Sequence, residues 1–144
     1  MVASFSVGTL EGAKELRSRA DVLRRRAVEL AAEDERAYGA VLALTSGGDS
    51  TAALSEAARV PLRMVELAAE LAPVLAELAT GGKAALQGDA LSGFRLLEGA
   101  ASAAAGLVRI DTERLPATER EQILRELGAA RDEITRASLL VAGR

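Results

Sequence analysis

The sequence predicts an all-α fold, an antiparallel bundle of four to five long helices. Apolar residues recur at intervals of three and four along most of the chain, and no segment shows the alternation typical of a β-strand. Hydrophobic residues make up 49% of the 144 residues but aromatic residues only 2%, so alanine and leucine must fill the core. Small alanine side chains let helix axes approach to about 8 Å. We expect residues 1–144 to form a single helical domain.

The first predicted helix runs from about Leu10 to Leu44 and carries a carboxylate on its apolar stripe. Asp34 occupies one position of that stripe, and small or apolar residues occupy the others: Leu16, Ala20, Leu23, Ala27, Leu30, Ala37, Val41 and Leu44. Burial raises the pKa of a carboxyl group toward neutrality, where the group both gives and takes a proton. Asp34 is therefore either an acid/base group or a residue that pairs with an arginine or reaches the surface. Glu33 and Glu35 are expected on a solvated face.

The second predicted helix runs from about Ser50 to Thr80, after the glycine-marked break "TSGGDS" at residues 45–50, where Asp49 or Ser50 can cap it. Its apolar arc is wide, which predicts burial on more than one side. Pro61 and Pro73 each remove a backbone donor, so a kink or a break into two helices is expected. The stripe consists of Val60, Met64, Leu67, Leu71, Val74 and Leu78. The segment "TGGK", residues 80–83, ends this helix.

The third predicted helix runs from about Asp89 to Arg109, with Phe94, Leu97, Ala101, Ala104 and Val108 in register. Asp89 follows a glycine and is expected to be the N-cap, where an anion can also bind. Arg109 suits the negative end of the helix dipole. Asp111 is expected either to end the helix or to form the turn after it. A face with almost no bulk, formed by Gly99, Ala100 and Ser102, favours close packing with another helix.

The fourth predicted helix begins at "TERE", where Thr118 and Glu121 have the spacing of a capping box. It continues to about Val141 through Ile123, Leu127, Ala130 and Ile134. Four helices leave part of the wide apolar arc and the bulk-free face uncovered, so a homodimer with two-fold symmetry is predicted.

Composition narrows the possible functions. The net charge is −3 and no basic patch with interleaved aromatic residues occurs, which argues against nucleic-acid binding. The chain contains neither cysteine nor histidine, so catalysis would use Asp, Glu, Lys, Tyr, Ser or Thr, and no metal site is predicted. Uncharged runs are shorter than the roughly 18 residues of a membrane span, and no basic leader precedes them. We expect a cytoplasmic protein without membrane contact.

Three segments in order resemble one enzyme family. They are "LAAEDERAYGAV", "LSEAARVPLRMVELAAELAPVLAELATGG" and "GDALSGFRLLEGAASAAAGLVRID". Together they resemble the formiminotetrahydrofolate cyclodeaminase and methenyltetrahydrofolate cyclohydrolase family, with its acidic D-A-x-A-Y/F helix, an A-x-x-V-P-L helix, an Asp that opens an Ala-rich helix, and a closing V-x-I-N. The resemblance covers about Met1 to Asp111. Pro61 and Asp89 are its most specific landmarks.

The resemblance implies an all-helical dimer that acts on a one-carbon derivative of tetrahydrofolate, as an ammonia-lyase or a hydrolase, without a metal. It implies that Asp34 is the catalytic acid/base. Tyr38, Asp89, Arg109 and Asp111 are the expected substrate-binding residues.

The chain also departs from the family pattern. The glycine-rich P-G-G-G-S segment and the helix after it are missing, the Gly-Asn motif reads "GGK" at residues 81–83, and the closing Asn is Asp111. The chain is therefore expected to be an N-terminally shortened or divergent member of the family. The alternative interpretation of its function is a catalytically inactive helical-bundle dimer with a binding or structural role.

Overall fold

The fold of the chain, taken from a computed structural model, is described for residues 12–44 and 51–143. Four long helices and one 3₁₀ turn make it up: α1 (Ala13–Ala43), α2 (Thr51–Gly81), the 3₁₀ turn (Ala84–Leu86), α3 (Gln87–Thr112) and α4 (Ala117–Ala142). These two ranges contain no strand, so the predicted all-α class is confirmed. The expected helix start at Leu10 and the loop at 45–50, with its Asp49 and Ser50 caps, lie outside the described residues.

Helix α2 is the central helix and packs against α1, α3 and α4. Its buried side chains therefore point in several directions, as the wide apolar arc predicted. Arg19 of α1 donates to the Glu70 carbonyl oxygen of α2 at 3.1 Å, and Arg63 of α2 contacts Glu33 at 3.2 Å. Because the residue numbers rise on one helix while they fall on the other, α1 and α2 are antiparallel.

The prolines do not divide α2, so of the two expected outcomes the break into two helices does not occur. Thr51–Gly81 is one helix that contains both Pro61 and Pro73. A proline inside a helix costs about 3 kcal/mol or more, because it removes one hydrogen bond and crowds the preceding turn. Pro61 is itself buried between Val60 and Leu62, which are 1% and 2% exposed. We infer that packing against three other helices outweighs this cost.

Both predicted N-caps are wrong. The 3₁₀ turn comes first and α3 starts at Gln87, so Leu86 is the N-cap residue and Asp89 lies exposed in the first turn. Its charge still suits the positive end of the helix. Helix α4 starts two residues earlier than the capping box predicts, with Pro116 rather than Thr118 as N-cap. Thr118 is therefore inside the helix. Proline disfavours helical backbone at the residue before it, which favours a helix that begins after Pro116.

The glycine stop after α2 is confirmed. The backbone N–H of Gly82 donates to the Leu78 carbonyl oxygen at 3.1 Å. A Cβ at position 82 would collide with that same carbonyl group. The close approach of the backbone at residue 82 to Leu78 therefore requires glycine.

The predicted core stripes of α3 and α4 are confirmed. Phe94, Val108 and Ile123 are fully buried, and they belong to one cluster with residues of α2. The α4 members of this cluster are Ile123, Leu127, Ala130, Ile134, Ala137 and Val141. None of the helices in the described residues combines the length and the apolar content of a membrane span.

Glu33 is not on a solvated face, contrary to expectation. Its carboxylate accepts a hydrogen bond from Arg26 of the same helix at 2.6 Å and from Arg63 of α2 at 3.2 Å. Only 23% of its side chain is exposed. The hydrogen bond from Arg26 lowers the pKa of the Glu33 carboxyl below its usual value, and the nearby charges of both arginines act in the same direction. Glu33 thus ties α1 to α2 while it is ionised.

Substituting Glu33 should make the stability of the bundle less sensitive to acid. A carboxyl whose pKa is lowered by folding stabilises the fold above its unfolded pKa, near 4.5, and loses that contribution as the pH falls through the folded pKa. Glu33→Gln should therefore unfold at a lower urea concentration than wild type at pH 7, and the difference should shrink below about pH 4.5. The exposed neighbour variant Glu35→Gln is the control. Equal urea midpoints for Glu33→Gln and wild type at pH 7 would contradict this role.

A candidate active-site cleft

A cleft runs along one side of the bundle, with α1 and α3 as its walls and α2 as its floor. One section is apolar and has a volume of about 520 Å³. Its lining includes Leu23 and Leu30 of α1, Leu67 and Leu71 of α2, and Leu97 and Ala104 of α3. Two further alanines of the wall, Ala100 and Ala101, take up little room. The predicted bulk-free face of α3 thus opens in part onto a cavity.

The neighbouring section of the cleft is polar on both walls and has a volume of about 410 Å³. Asp34 and Tyr38 line it from α1, Asp111 lines it from α3, and Arg114 lies just beyond the end of α3. Leu54 belongs to its floor. The two sections lie end to end, because Leu30 and Ala104 of the apolar section are each about one turn from residues of the polar section.

The stripe of α1 that contains Asp34 faces this cleft. The residues one turn before and after it, Leu30 and Ala37, are 1% and 7% exposed and form a small cluster with Val60 of α2. Asp34 itself is half-buried. Among the described residues, no side chain forms a hydrogen bond or an ion pair with the Asp34 carboxylate. The structure therefore does not support the interpretation that Asp34 pairs with an arginine.

Asp111 lies on the α3 side of the polar section, opposite Asp34. It lies in the last turn of α3, inside the helix, which agrees with the first of the two expectations from the sequence. Burial raises the pKa of the Asp111 carboxyl, and the negative charge of Asp34 raises it further. Arg114 lines the same cavity but forms no ion pair with Asp111. The cleft thus holds two carboxyl groups, and no described cation is paired with either of them.

The rim of the polar section is apolar and accessible. Tyr38 is 62% exposed, and Leu42, Leu107 and Ile110 extend the same rim with comparable exposure. The tyrosine is therefore a rim residue rather than part of the core. An aromatic ring beside two carboxyl groups provides a surface on which a flat ligand could stack.

Two predicted substrate-binding residues do not line the cleft. Asp89 is at the opposite end of α3 from Asp111, and 22 residues of helix separate them by about 33 Å. Arg109 is exposed in the last turn, but its position on the helix does not bring it into the polar section. Arg114, which does line it, was not predicted. The spacing of Leu107, Asp111 and Arg114, at intervals of four and three, was the available signal.

Replacing Asp111 with its neutral analogue should stabilise the protein at neutral pH. A carboxyl whose pKa is raised by folding favours the fold below its unfolded pKa, near 3.8, and this contribution is lost as the pH rises through the folded pKa. At pH 7 the Asp111→Asn variant should unfold at a higher urea concentration than wild type. The gain should diminish toward pH 3.8 and below.

The control for this comparison is Asp132→Asn, an exposed aspartate of α4. A lower urea midpoint for Asp111→Asn than for wild type at pH 7 would show that the ionised carboxyl is not a destabilising feature of the cleft.

The family to which the chain belongs is recognised over most of its length. A profile described as formiminotransferase-cyclodeaminase matches residues 1–127 and so includes all three helices of the cleft. A search among curated proteins found none that matches the chain. Because the profile spans well over half of the 144 residues, the chain belongs to the formiminotransferase-cyclodeaminase family.

Proposed function

We propose that this protein acts on a one-carbon derivative of tetrahydrofolate, as a formiminotetrahydrofolate cyclodeaminase or a methenyltetrahydrofolate cyclohydrolase, with Asp34 as the acid/base. The observation that carries the proposal is the half-buried Asp34 carboxylate in a cleft that lies within the family match. The proposed reaction takes place in the cytoplasm and uses no metal.

Both reactions require a proton acceptor close to the one-carbon group. In the deaminase reaction, N10 closes the ring and the N5-formimino nitrogen leaves as ammonia. In the cyclohydrolase reaction, water attacks the methenyl carbon and the ring opens. A carboxylate that no described cation neutralises, beside Leu30 and Ala37, is available to take the proton from N10 or from water.

The shape of the cleft supports a ligand with flat rings. Ligand pockets are typically 300–1,000 Å³ and mostly apolar, with a few polar groups. The apolar section has a volume of about 520 Å³ and can hold the aromatic ring that follows the pterin in a folate. Tyr38 offers a surface on which the pterin itself can stack. Arg24 lines the apolar section ten residues before Asp34, about 15 Å along α1. Its positive charge suits the carboxylates at the far end of a folate.

The alternative is a bundle that has kept the fold and a binding role but has lost the reaction. The departures from the family pattern at "GGK", residues 81–83, and at Asp111 favour it. The two functions differ in one measurable respect, because only the enzyme turns over methenyltetrahydrofolate or formiminotetrahydrofolate.

Asp34→Asn should abolish most turnover without unfolding the protein. The amide keeps the shape of the side chain but takes up no proton at neutral pH, and loss of general acid/base catalysis costs about 10²- to 10⁴-fold in rate. We expect wild type to convert one of the two folates in a spectrophotometric assay, and kcat to fall by that factor in the variant.

Glu35→Gln, an exposed change one residue away, should leave kcat unchanged. Saturable binding of folinic acid without any turnover by wild type would favour the binding protein. Turnover that persists in Asp34→Asn would remove Asp34 from the mechanism.

We also propose that the protein is a homodimer. Three large apolar side chains of α3 and α4 are exposed: Leu96 of α3 is 76% exposed, and Leu139 and Leu140 near the end of α4 are 69% and 66% exposed. A hydrogen bond between Ser138 and Glu98 brings this part of the two helices together. Burying such a patch against a second copy would stabilise a two-fold assembly.

Sedimentation should therefore give twice the chain mass of 14.9 kDa. The double variant Leu139→Glu, Leu140→Glu should sediment as a monomer, because a dimer through this patch would bury the new charges. Val28→Glu, at an exposed position of α1, is the control. A monomeric wild type at micromolar concentration would contradict the dimer, and a dimeric double variant would exclude this patch as its interface.

A further inference from the structure

We propose that the amino-terminal segment of this chain, residues 1–11, docks in the apolar section of the cleft and competes there with any ligand. The inference goes beyond the proposed function, because it concerns what occupies this section and not the reaction. The geometry that carries it is an incompletely covered apolar cavity within reach of a mostly apolar segment.

The apolar section is an unfilled part of the hydrophobic interior between α1, α2 and α3. Its volume is about 520 Å³, and among the described residues that line it only Arg24 is charged. Five large apolar side chains of its lining stay half-buried: Met64, Leu67, Leu71, Leu75 and Leu97. Contact with a further apolar group would remove this surface from water, which is favourable.

The segment that precedes α1 has the composition for such a contact. Residues 1–11 read "MVASFSVGTLE" and lie outside the described residues. Glu11 carries the only charged side chain of the segment. Its larger apolar residues are Met1, Val2, Phe5, Val7 and Leu10. Burial of these side chains against the leucines of the cavity would stabilise the docked segment.

The segment is also long enough to enter the cavity. Gly12, the N-cap residue of α1, has a φ of 76°, in the left-handed region, so residues 1–11 do not continue the axis of α1. Leu23, which lines the cavity, is eleven residues after Gly12 and therefore about 17 Å along the helix. An extended chain covers about 3.3 Å per residue, so the six residues from Gly12 back to Ser6 span about 20 Å.

Ala100 marks the same level on the opposite wall of the cleft. Leu23 of α1 and Ala100 of α3 line the apolar section, and each is eleven residues before the aspartate of its own wall, Asp34 or Asp111. A segment that runs along the cleft as far as Leu23 therefore also passes Ala100.

The covalent connection favours this segment over other occupants. A group joined by a short flexible linker has an effective concentration in the millimolar range, which an apolar group on a second chain at micromolar concentration does not reach. The patch proposed for the dimer lies on α3 and α4, whereas the apolar section lies between α1 and α3. A second copy on that patch therefore leaves the section to residues 1–11.

The first test uses the absence of cysteine from the chain. Two double variants, Ser6→Cys with Ala100→Cys and Ser6→Cys with Ser102→Cys, are oxidised at low micromolar concentration and separated on non-reducing gels. Ala100 lines the cleft and Ser102 lines the groove between α3 and α4, and both positions are exposed. Docking should make the disulfide within one chain form about tenfold faster in the Ala100→Cys variant, because it raises the effective concentration of the two thiols there.

The rates decide whether the segment docks. Equal rates of disulfide formation in the two double variants would overturn the proposal. Disulfides between two chains, in place of the one within a chain, would assign the cavity to the segment of a second copy and would also overturn it.

The second test measures competition for the cavity. Anilinonaphthalene sulfonate fluoresces when it binds accessible apolar surface. In Phe5→Asp the new charge keeps the segment out of the cavity, so the variant should bind the dye about tenfold more tightly than wild type, with the same helix content by circular dichroism. The control is Thr9→Asp, which places the same charge too close to Gly12 to enter the cavity and should bind the dye as wild type does.

Equal dye affinity of wild type and Phe5→Asp would overturn the competition. Neither test uses a folate, so its failure would leave the proposed function standing. Absence of turnover on both folates would remove the proposed function and leave the docking of residues 1–11 unaffected.

Discussion

The packing of α2 against the three other long helices is the constraint on which the rest of the structure depends. It keeps one 31-residue helix continuous through two prolines, and it aligns α1 and α3 on one side of the bundle. Because α1 packs mainly on α2, α1 and α3 stand apart and leave a cleft between them. The cleft is thus a consequence of how the helices share one central partner.

Glu33 and Asp34 are adjacent in α1, but their carboxylates have different electrostatic surroundings. Glu33 is held between Arg26 and Arg63 and stabilises the contact between α1 and α2 when ionised. Asp34, one residue later and about 100° around the helix, faces the cleft, where no arginine is paired with it. The first group stabilises the fold, and the second lines the cleft without a charged partner among the described side chains.

Asp111 is a carboxyl group whose surroundings lower the stability of the fold. A carboxyl group that is partly buried and close to another negative charge disfavours the folded state when both are ionised.

The sequence by itself determined the all-α class, the approximate span of each helix and the core stripes of α3 and α4, because helical periodicity is a local property. It also singled out Asp34, since a carboxylate on an apolar stripe is visible without coordinates. Only the tertiary structure decided that the prolines leave α2 intact and that Asp111 rather than Asp89 faces Asp34. These outcomes depend on contacts between helices distant in sequence, and no local pattern contains the free energy of such contacts.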